Sequence, residues 1–276
     1  MTGQIVVGVD GSPSAAAAVD WAADDAGRRN ARLRIVHVRE PWSYDFPLRT
    51  GSGAGDGLPA YWRAALAAAA DRVRARSPGL EVSVALITGA VSERLTTESA
   101  DADEIVLGSE GRGGFAATVL GSVGQAVVGR ASSPVVVVRR PAAATYGEIV
   151  VGFDGSAASE AALTYAIEQA RLRGAHLLAL HARNLPRLTV RRRDPLAEVA
   201  GAFRARLTPW AETNPDVSLT ASAVRGHPVL ALCRASRHAD LLVVGTRTRP
   251  RGSPHLGSVA QAALRRAPCP VAVVHP

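Results

Sequence analysis

The sequence predicts an α/β protein made of two tandem copies of one domain, each a parallel sheet with helices on both faces. Three observations carry this expectation. The chain repeats itself: residues 5–40 align with residues 149–184 at an offset of 144, and 16 of the 36 positions are identical. Within a copy, short β-branched apolar runs alternate with helical patterns, the order that builds a parallel sheet buried on both faces. The 276 residues exceed what one core usually fills and suit two domains of ordinary size. The ends of the copies also match, at an offset of 136: Gly121-Ser122-Val123 parallels Gly257-Ser258-Val259, and residues 134–138 parallel residues 270–274. The first copy therefore carries about eight extra residues, most of them in the Gly/Pro/Ser-rich residues 41–60, which read as a loop. The domains are placed at 1–140 and 148–276, with 141–147 as the linker.

The elements of the first copy follow in order. Residues 5–9 are a short apolar run typical of a buried strand. Ser12 can cap a helix with Pro13 at its first position; this helix runs to about Asn30 and is expected to bury Ala16, Val19, Ala23 and Ala26 or their neighbours. Residues 33–38 form a second strand. Residues 61–77 form a helix stopped by Pro78-Gly79. Residues 82–87 alternate as a third strand, 91–100 make a short helix, 104–108 the fourth strand, 123–130 a helix and 135–138 the fifth strand.

In such sheets ligands bind beyond the carboxyl ends of the strands, where strand order switches. Val9-Asp10-Gly11-Ser12 follows the first strand there. Gly108-Ser109-Glu110-Gly111-Arg112-Gly113-Gly114 follows the fourth, and Gly121-Ser122-Val123 then opens a helix. Glycines let a backbone approach an anion closely, and a helix start offers free N–H groups and the positive end of a dipole. Asp10 can accept hydrogen bonds from ribose hydroxyls. The plainer alternative is a flexible surface loop and a simple turn with a helix cap; placement between strand and helix favours the phosphate cradle.

Composition narrows the chemistry. Every basic residue is Arg, which removes the lysine of a GxxxxGK[ST] loop, a Schiff-base lysine and a kinase strand lysine. No apolar run nears 18 residues, so no membrane insertion is expected. The start shows no signal-peptide pattern. Cys233 and Cys269 match no metal or disulfide pattern, and a reduced cytoplasmic protein is the simple expectation. His37 and His181, near strand ends, suit packing or a backbone contact better than catalysis or metal ligation.

The spacing Gly108-x2-Gly111-x9-Gly121-Ser122 resembles the G-x2-G-x9-G-[ST] nucleotide motif of the universal stress protein family. Val7-Gly8-Val9-Asp10-Gly11-Ser12, His37-Val38, Gly89 and residues 103–108 resemble the same family, and the likeness covers nearly the whole chain, twice. The resemblance implies two Rossmann-like domains of the adenine-nucleotide alpha-hydrolase type, each a five-stranded parallel sheet of order 3-2-1-4-5. It implies ATP, with or without Mg²⁺, in the crevice of the first domain. Gly8, Val9, Asp10, Val38, Gly89, Leu107 and Arg112 would line it, with phosphates over Gly108, Gly111, Gly121, Ser122 and Val123. It further implies a regulatory stress-response role with little or no turnover, and a homodimer, often formed through the last strand. A slow Mg-dependent ATP hydrolase using Glu110 and a nucleotide-independent dimerisation scaffold are the competing readings.

The second copy departs from the motif. Gly245-Thr246-Arg247-Thr248 puts Thr248 at the second glycine position, the stretch to Gly257 is one residue short, and Pro250 and Pro254 remove N–H donors. Asp154, Gly226, Gly245, Gly257 and Ser258 remain for a partial site, and Arg247, Arg249 and Arg251 could grip phosphate by side chain. Residues 1–140 hold 15 Arg against 15 Asp and Glu, whereas residues 141–276 hold 17 against 9, so the net charge of +8 lies in the second copy. Part of it is the run Arg191-Arg192-Arg193. A solvated basic loop, an acidic protein partner or an anionic membrane surface fits this charge; without a helix-turn-helix, an RNA-recognition signature or an aromatic platform, nucleic acid fits it less well.

Overall fold

The computed structural model describes residues 3–40, 57–110, 120–141, 144–184, 195–246 and 256–276. They divide into two compact units, Met1–Pro141 and Ala142–Pro276.

Unit 1 runs β1 (Gln4–Gly8), α1 (Pro13–Arg29), β2 (Arg32–Arg39), α2 (Gly57–Arg76), β3 (Val82–Thr88), α3 (Val91–Glu98), β4 (Glu104–Gly108), α4 (Ser122–Arg130) and β5 (Val135–Val138). Its sheet has the order β3-β2-β1-β4-β5, and every pairing is parallel. The chain moves outward from β1 to β3, then returns to lay β4 on the other side of β1. Right-handed crossovers then put α1 and α2 on one face and α3 and α4 on the other. The switch in direction leaves a crevice above β1 and β4.

Unit 2 repeats the pattern: β6 (Glu148–Gly152), α5 (Ala157–Arg173), β7 (His176–Arg183), α6 (Pro195–Thr213), β8 (Leu219–Arg225), α7 (Pro228–Ala235), β9 (Leu241–Gly245), α8 (Ser258–Arg266) and β10 (Val271–Val274). Its strands lie in the order β8-β7-β6-β9-β10, again parallel.

The central strands form the core. Ile5, Val6, Val7, Ile105 and Val106 are fully buried, each stabilising the fold by about 1.5–3 kcal/mol relative to exposure. The outer strand β3 has no fully buried position, as an edge strand covered on one side only. Helix α1 buries Ala15, Ala18, Val19, Ala22, Ala23 and Ala26. Ala16, expected inside, is exposed. In a run of alanines either side of the helix looks equally apolar, so the facing row could not be read from residue type. The helix ends on Asn30, whose left-handed φ of 52° lets its N–H return to the Ala26 and Gly27 carbonyls.

One charged cluster lies in the core of unit 1. Arg29, on the last turn of α1, reaches Asp25 at 2.7 Å and Glu104 at 3.5 Å, and both carboxylates are fully buried. Unit 2 places Gln169, Arg173 and Leu241 at the matching positions. Arg34 on β2 makes a two-pronged bond to Glu98 on α3 (2.7 and 3.2 Å). That bond holds the Arg34 guanidinium above its ordinary pKa and ties α3 to the sheet.

Candidate functional site

The turn after β1 is built by three residues. Gly11 takes φ +79°, a region open to glycine and costly for other residues. The Asp10 carboxylate accepts the Ser12 N–H at 3.0 Å, and the Ser12 hydroxyl accepts the Ala15 N–H at 3.1 Å. Asp10-Gly11-Ser12 is therefore a turn and a helix cap. It also delivers Asp10 to the rim of a cleft of about 470 Å³ above the switch point.

The cleft has an apolar interior and a polar rim. Val36 and Val38 from β2, Val91 and Leu95 from α3, and Leu107 from β4 form the walls. Asp10, Ser109, Glu110, Gly121 and Ser122 supply the polar edge. Helix α4 begins at this edge, and its N-cap Gly121 provides no side-chain cap. The first backbone bond of the helix runs from the Gln125 N–H to the Gly121 carbonyl (3.0 Å). The N–H groups of Ser122, Val123 and Gly124 precede it and have no intrahelical acceptor.

The glycines of the motif serve two different ends. A Cβ on Gly108 would meet the Ser14 Oγ at 2.7 Å and the Ala15 backbone nitrogen at 2.8 Å; this glycine lets α1 approach the sheet. A Cβ on Gly8 would meet Leu107 at 2.8 Å. At Gly121 an added Cβ meets nothing within 4 Å among the described residues, and its φ of −56° is open to any residue. Among the described residues neither packing nor backbone geometry demands a glycine there.

Of the sequence-selected residues, Gly8, Val9, Asp10, Val38, Leu107, Gly108, Gly121, Ser122 and Val123 line this one cleft. Gly89 is not among its described lining residues. Its N–H donates to the Arg39 carbonyl (2.9 Å) and its φ is +149°, so it turns the chain from β3 into α3. Gly111 and Arg112 lie outside the described residues. Val36, Val91, Leu95 and Ser109 were missed; the i, i+4 apolar pair Val91/Leu95 was the available signal for two of them. His37 is a packed residue. Its Nδ1 lies 2.7 Å from the Val9 carbonyl, which can only accept, so Nδ1 carries the proton. The ring stacks on Trp62 with centroids 3.7 Å apart.

Unit 2 has a smaller cleft of about 340 Å³, lined by Asp154, Gly245, Gly257 and Ser258 among others. Phe153 takes the place of Val9 and is buried against Phe203. The Asp154 carboxylate accepts both the Ser156 N–H (3.0 Å) and the Ser156 hydroxyl (2.6 Å). His181 repeats the His37 arrangement, with Nδ1 2.9 Å from the Phe153 carbonyl. Gly226 again bonds the neighbouring strand end, Arg183, at 3.0 Å and is not among the described cleft residues. Arg247, Thr248, Arg249, Pro250, Arg251 and Pro254, like Arg191, Arg192 and Arg193, lie outside the described residues. Among the described residues no group of three or more His, Cys, Asp or Glu could hold a metal ion, and no helix is long and apolar enough to cross a membrane.

Residues 1–139 and residues 145–275 each match the universal stress protein family profile. The chain belongs to the universal stress protein family. A universal stress protein of Mycobacterium tuberculosis is 35% identical over 301 aligned residues, covering 98% of this chain and 94% of its own. A universal stress protein of Mycolicibacterium smegmatis is 32% identical, with coverages of 99% and 97%. The crystal structure of a universal stress protein from Archaeoglobus fulgidus shares the fold at a TM-score of 0.75 and 20% identity, covering 99% of this chain and 98% of that one. The tandem two-domain architecture is thus a property this universal stress protein shares with relatives matched over almost their full length.

Proposed function

We propose that unit 1 binds an adenine nucleotide, ATP in the first instance, and that occupancy of its cleft biases the protein's conformation or its binding of partners. The observation that carries this reading is the uncapped start of α4. Three amides without intrahelical acceptors stand beside a glycine whose missing side chain leaves open space. Such a helix start suits phosphate. The apolar walls from Val36, Val38, Val91 and Leu95 suit a base, and Asp10 at the rim suits ribose hydroxyls. Mg²⁺ would arrive with the phosphates, and Asp10 and Glu110 are the carboxylates among the described lining residues. Regulation requires only that ATP favour one arrangement of the loop between β4 and α4 over another.

The test is nucleotide content. Protein purified without added ligand is denatured and the released small molecules are quantified by mass spectrometry. Nucleotide near one equivalent per chain supports the reading; none released, with none bound on titration with Mg-ATP, removes it and favours the scaffold alternative. Glu110 at the rim also supports a slow hydrolase. That activity requires phosphate release above a buffer control that disappears in Glu110→Gln. A stress-response role in the cytoplasm, a homodimer and an acidic partner for the basic second unit belong to the same proposal. Sedimentation showing only monomer at high concentration would remove the homodimer.

A further inference from the structure

The two units share the turn after their first strand but fasten it differently. In unit 1 the Ser12 hydroxyl, besides capping α1, donates to the Glu110 carbonyl at 3.1 Å. The Ser14 hydroxyl donates to the same carbonyl at 2.6 Å and accepts the Glu110 N–H at 3.3 Å. Ser14 occupies the second position of α1 and is only 8% exposed. Both backbone polar atoms of Glu110 are therefore held by one buried hydroxyl.

The hold extends further. Ser109, also buried, donates its N–H to the Val138 carbonyl at 2.9 Å, and its own carbonyl accepts the Gly121 N–H at 3.2 Å. Hydrogen bonds thus run from the first turn of α1, through Ser109 and Glu110, to the residue that opens α4. Asp10 stands at one end of this run and the α4 amides at the other.

Unit 2 has Ala158 where unit 1 has Ser14, so the corresponding hydroxyl does not exist. There the turn closes on itself. The Ser156 hydroxyl goes to the Asp154 carboxylate. The Ser159 hydroxyl takes the Gly155 N–H at 3.0 Å and donates to the Ser156 carbonyl at 2.8 Å.

We propose that Ser14 is a positioning residue, whose hydroxyl fixes the Ser109–Glu110 backbone and, through it, the start of α4 relative to Asp10. It touches no ligand; it is not among the residues lining the cleft. Its consequence for binding rests on the nucleotide reading of unit 1 given above. Ser14 acts on the phosphate end of the cleft, because its bonds lead to α4 and not to the apolar walls. Removing the hydroxyl weakens ligands that carry phosphates and spares those that do not.

The experiment compares the full chain with its Ser14→Ala variant by two readouts. Amide hydrogen exchange, followed by NMR, is expected to quicken about tenfold at Glu110 and Gly121 while β5 is unchanged. Unchanged exchange at both amides would overturn the proposal. Calorimetric titration is expected to show about five- to tenfold weaker ATP binding and less than about twofold weaker adenosine binding. An equal loss for both ligands would mean general damage and would also overturn it. Should the unaltered chain bind neither ligand while the exchange result holds, the nucleotide reading falls and the hold of Ser14 on α4 stands.

Discussion

Gly108 and Gly121 belong to one motif and answer to different physical demands. Gly108 is needed by the fold, since any side chain would strike the first turn of α1. Gly121 is needed by nothing in the described protein. Gly121→Val should therefore leave the chain folded, costing at most about 1 kcal/mol as a poorer N-cap, while lowering ATP affinity at least about tenfold by filling the space beside the α4 amides. Calorimetry and a urea melt on the same sample separate the two effects. Cys269 gives a residue-level prediction of a different kind. Burial raises its pKa from 9.0 to about 12. Below pH 9 the thiol is protonated in both states and contributes nothing to pH dependence. Between pH 9 and about 12 the unfolded chain loses this proton and the folded chain keeps it, so stability falls as pH rises, by up to about 1.4 kcal/mol per pH unit. Urea unfolding from pH 8 to 11 should show this slope in the unaltered chain, and Cys269→Ala should be flatter by that amount. The sequence exposed the glycine spacing but not its division of labour, because contacts such as Gly108 with Ser14 join positions far apart in the chain.

At the scale of elements, the strands were legible because short apolar runs rich in valine, isoleucine or leucine between turn signals have few other readings. Helix α2 begins at Gly57, four residues earlier than expected, since a proline is tolerated in a first helical turn and the glycine-rich stretch masked the start. The way α1 and α2 are joined could not be read at all. Arg72 grips Asp20 with two bonds (2.8 and 2.5 Å), and Arg76 grips Asp24 with two more (2.8 Å each). Each pair spans 52 residues of sequence. The geometry is two-pronged, yet both arginines are about half exposed or more, so solvent screens the attraction. Arg72→Ala and Arg76→Ala should each lower the stability of unit 1 by no more than about 1 kcal/mol, and the loss should shrink in about 0.5 M salt. A larger, salt-independent loss would mean that the aliphatic stems, and not the charges, join the helices.

At the scale of the molecule, duplication produced two similar folds with unequal clefts. The repeat made the common fold legible, and the altered motif of the second copy pointed to the inequality. The structure gives it physical form in the side chains around the turn after the first strand. Phe153 stands where unit 1 has Val9, and the cleft is about 340 Å³ against about 470 Å³. The Asp154 carboxylate accepts both the N–H and the hydroxyl of Ser156; the Asp10 carboxylate accepts the Ser12 N–H, and the Ser12 hydroxyl donates to the Glu110 carbonyl. A ribose hydroxyl approaching Asp154 must compete with that serine, and displacing a formed hydrogen bond costs about 1 kcal/mol. Both clefts nevertheless keep an uncapped helix start with an unencumbered glycine, Gly121 and Gly257, so the helix terminus alone does not separate them. ATP is therefore expected to bind with a stoichiometry near one per chain. Gly121→Val should weaken that binding event at least about tenfold and Gly257→Val should leave it intact. Two equivalents, each lost to one substitution, would show that neither the aromatic filling nor the occupied carboxylate disables unit 2. The roles reversed, with Gly257→Val decisive, would place the functional cleft in the copy whose loop has traded glycine for arginine.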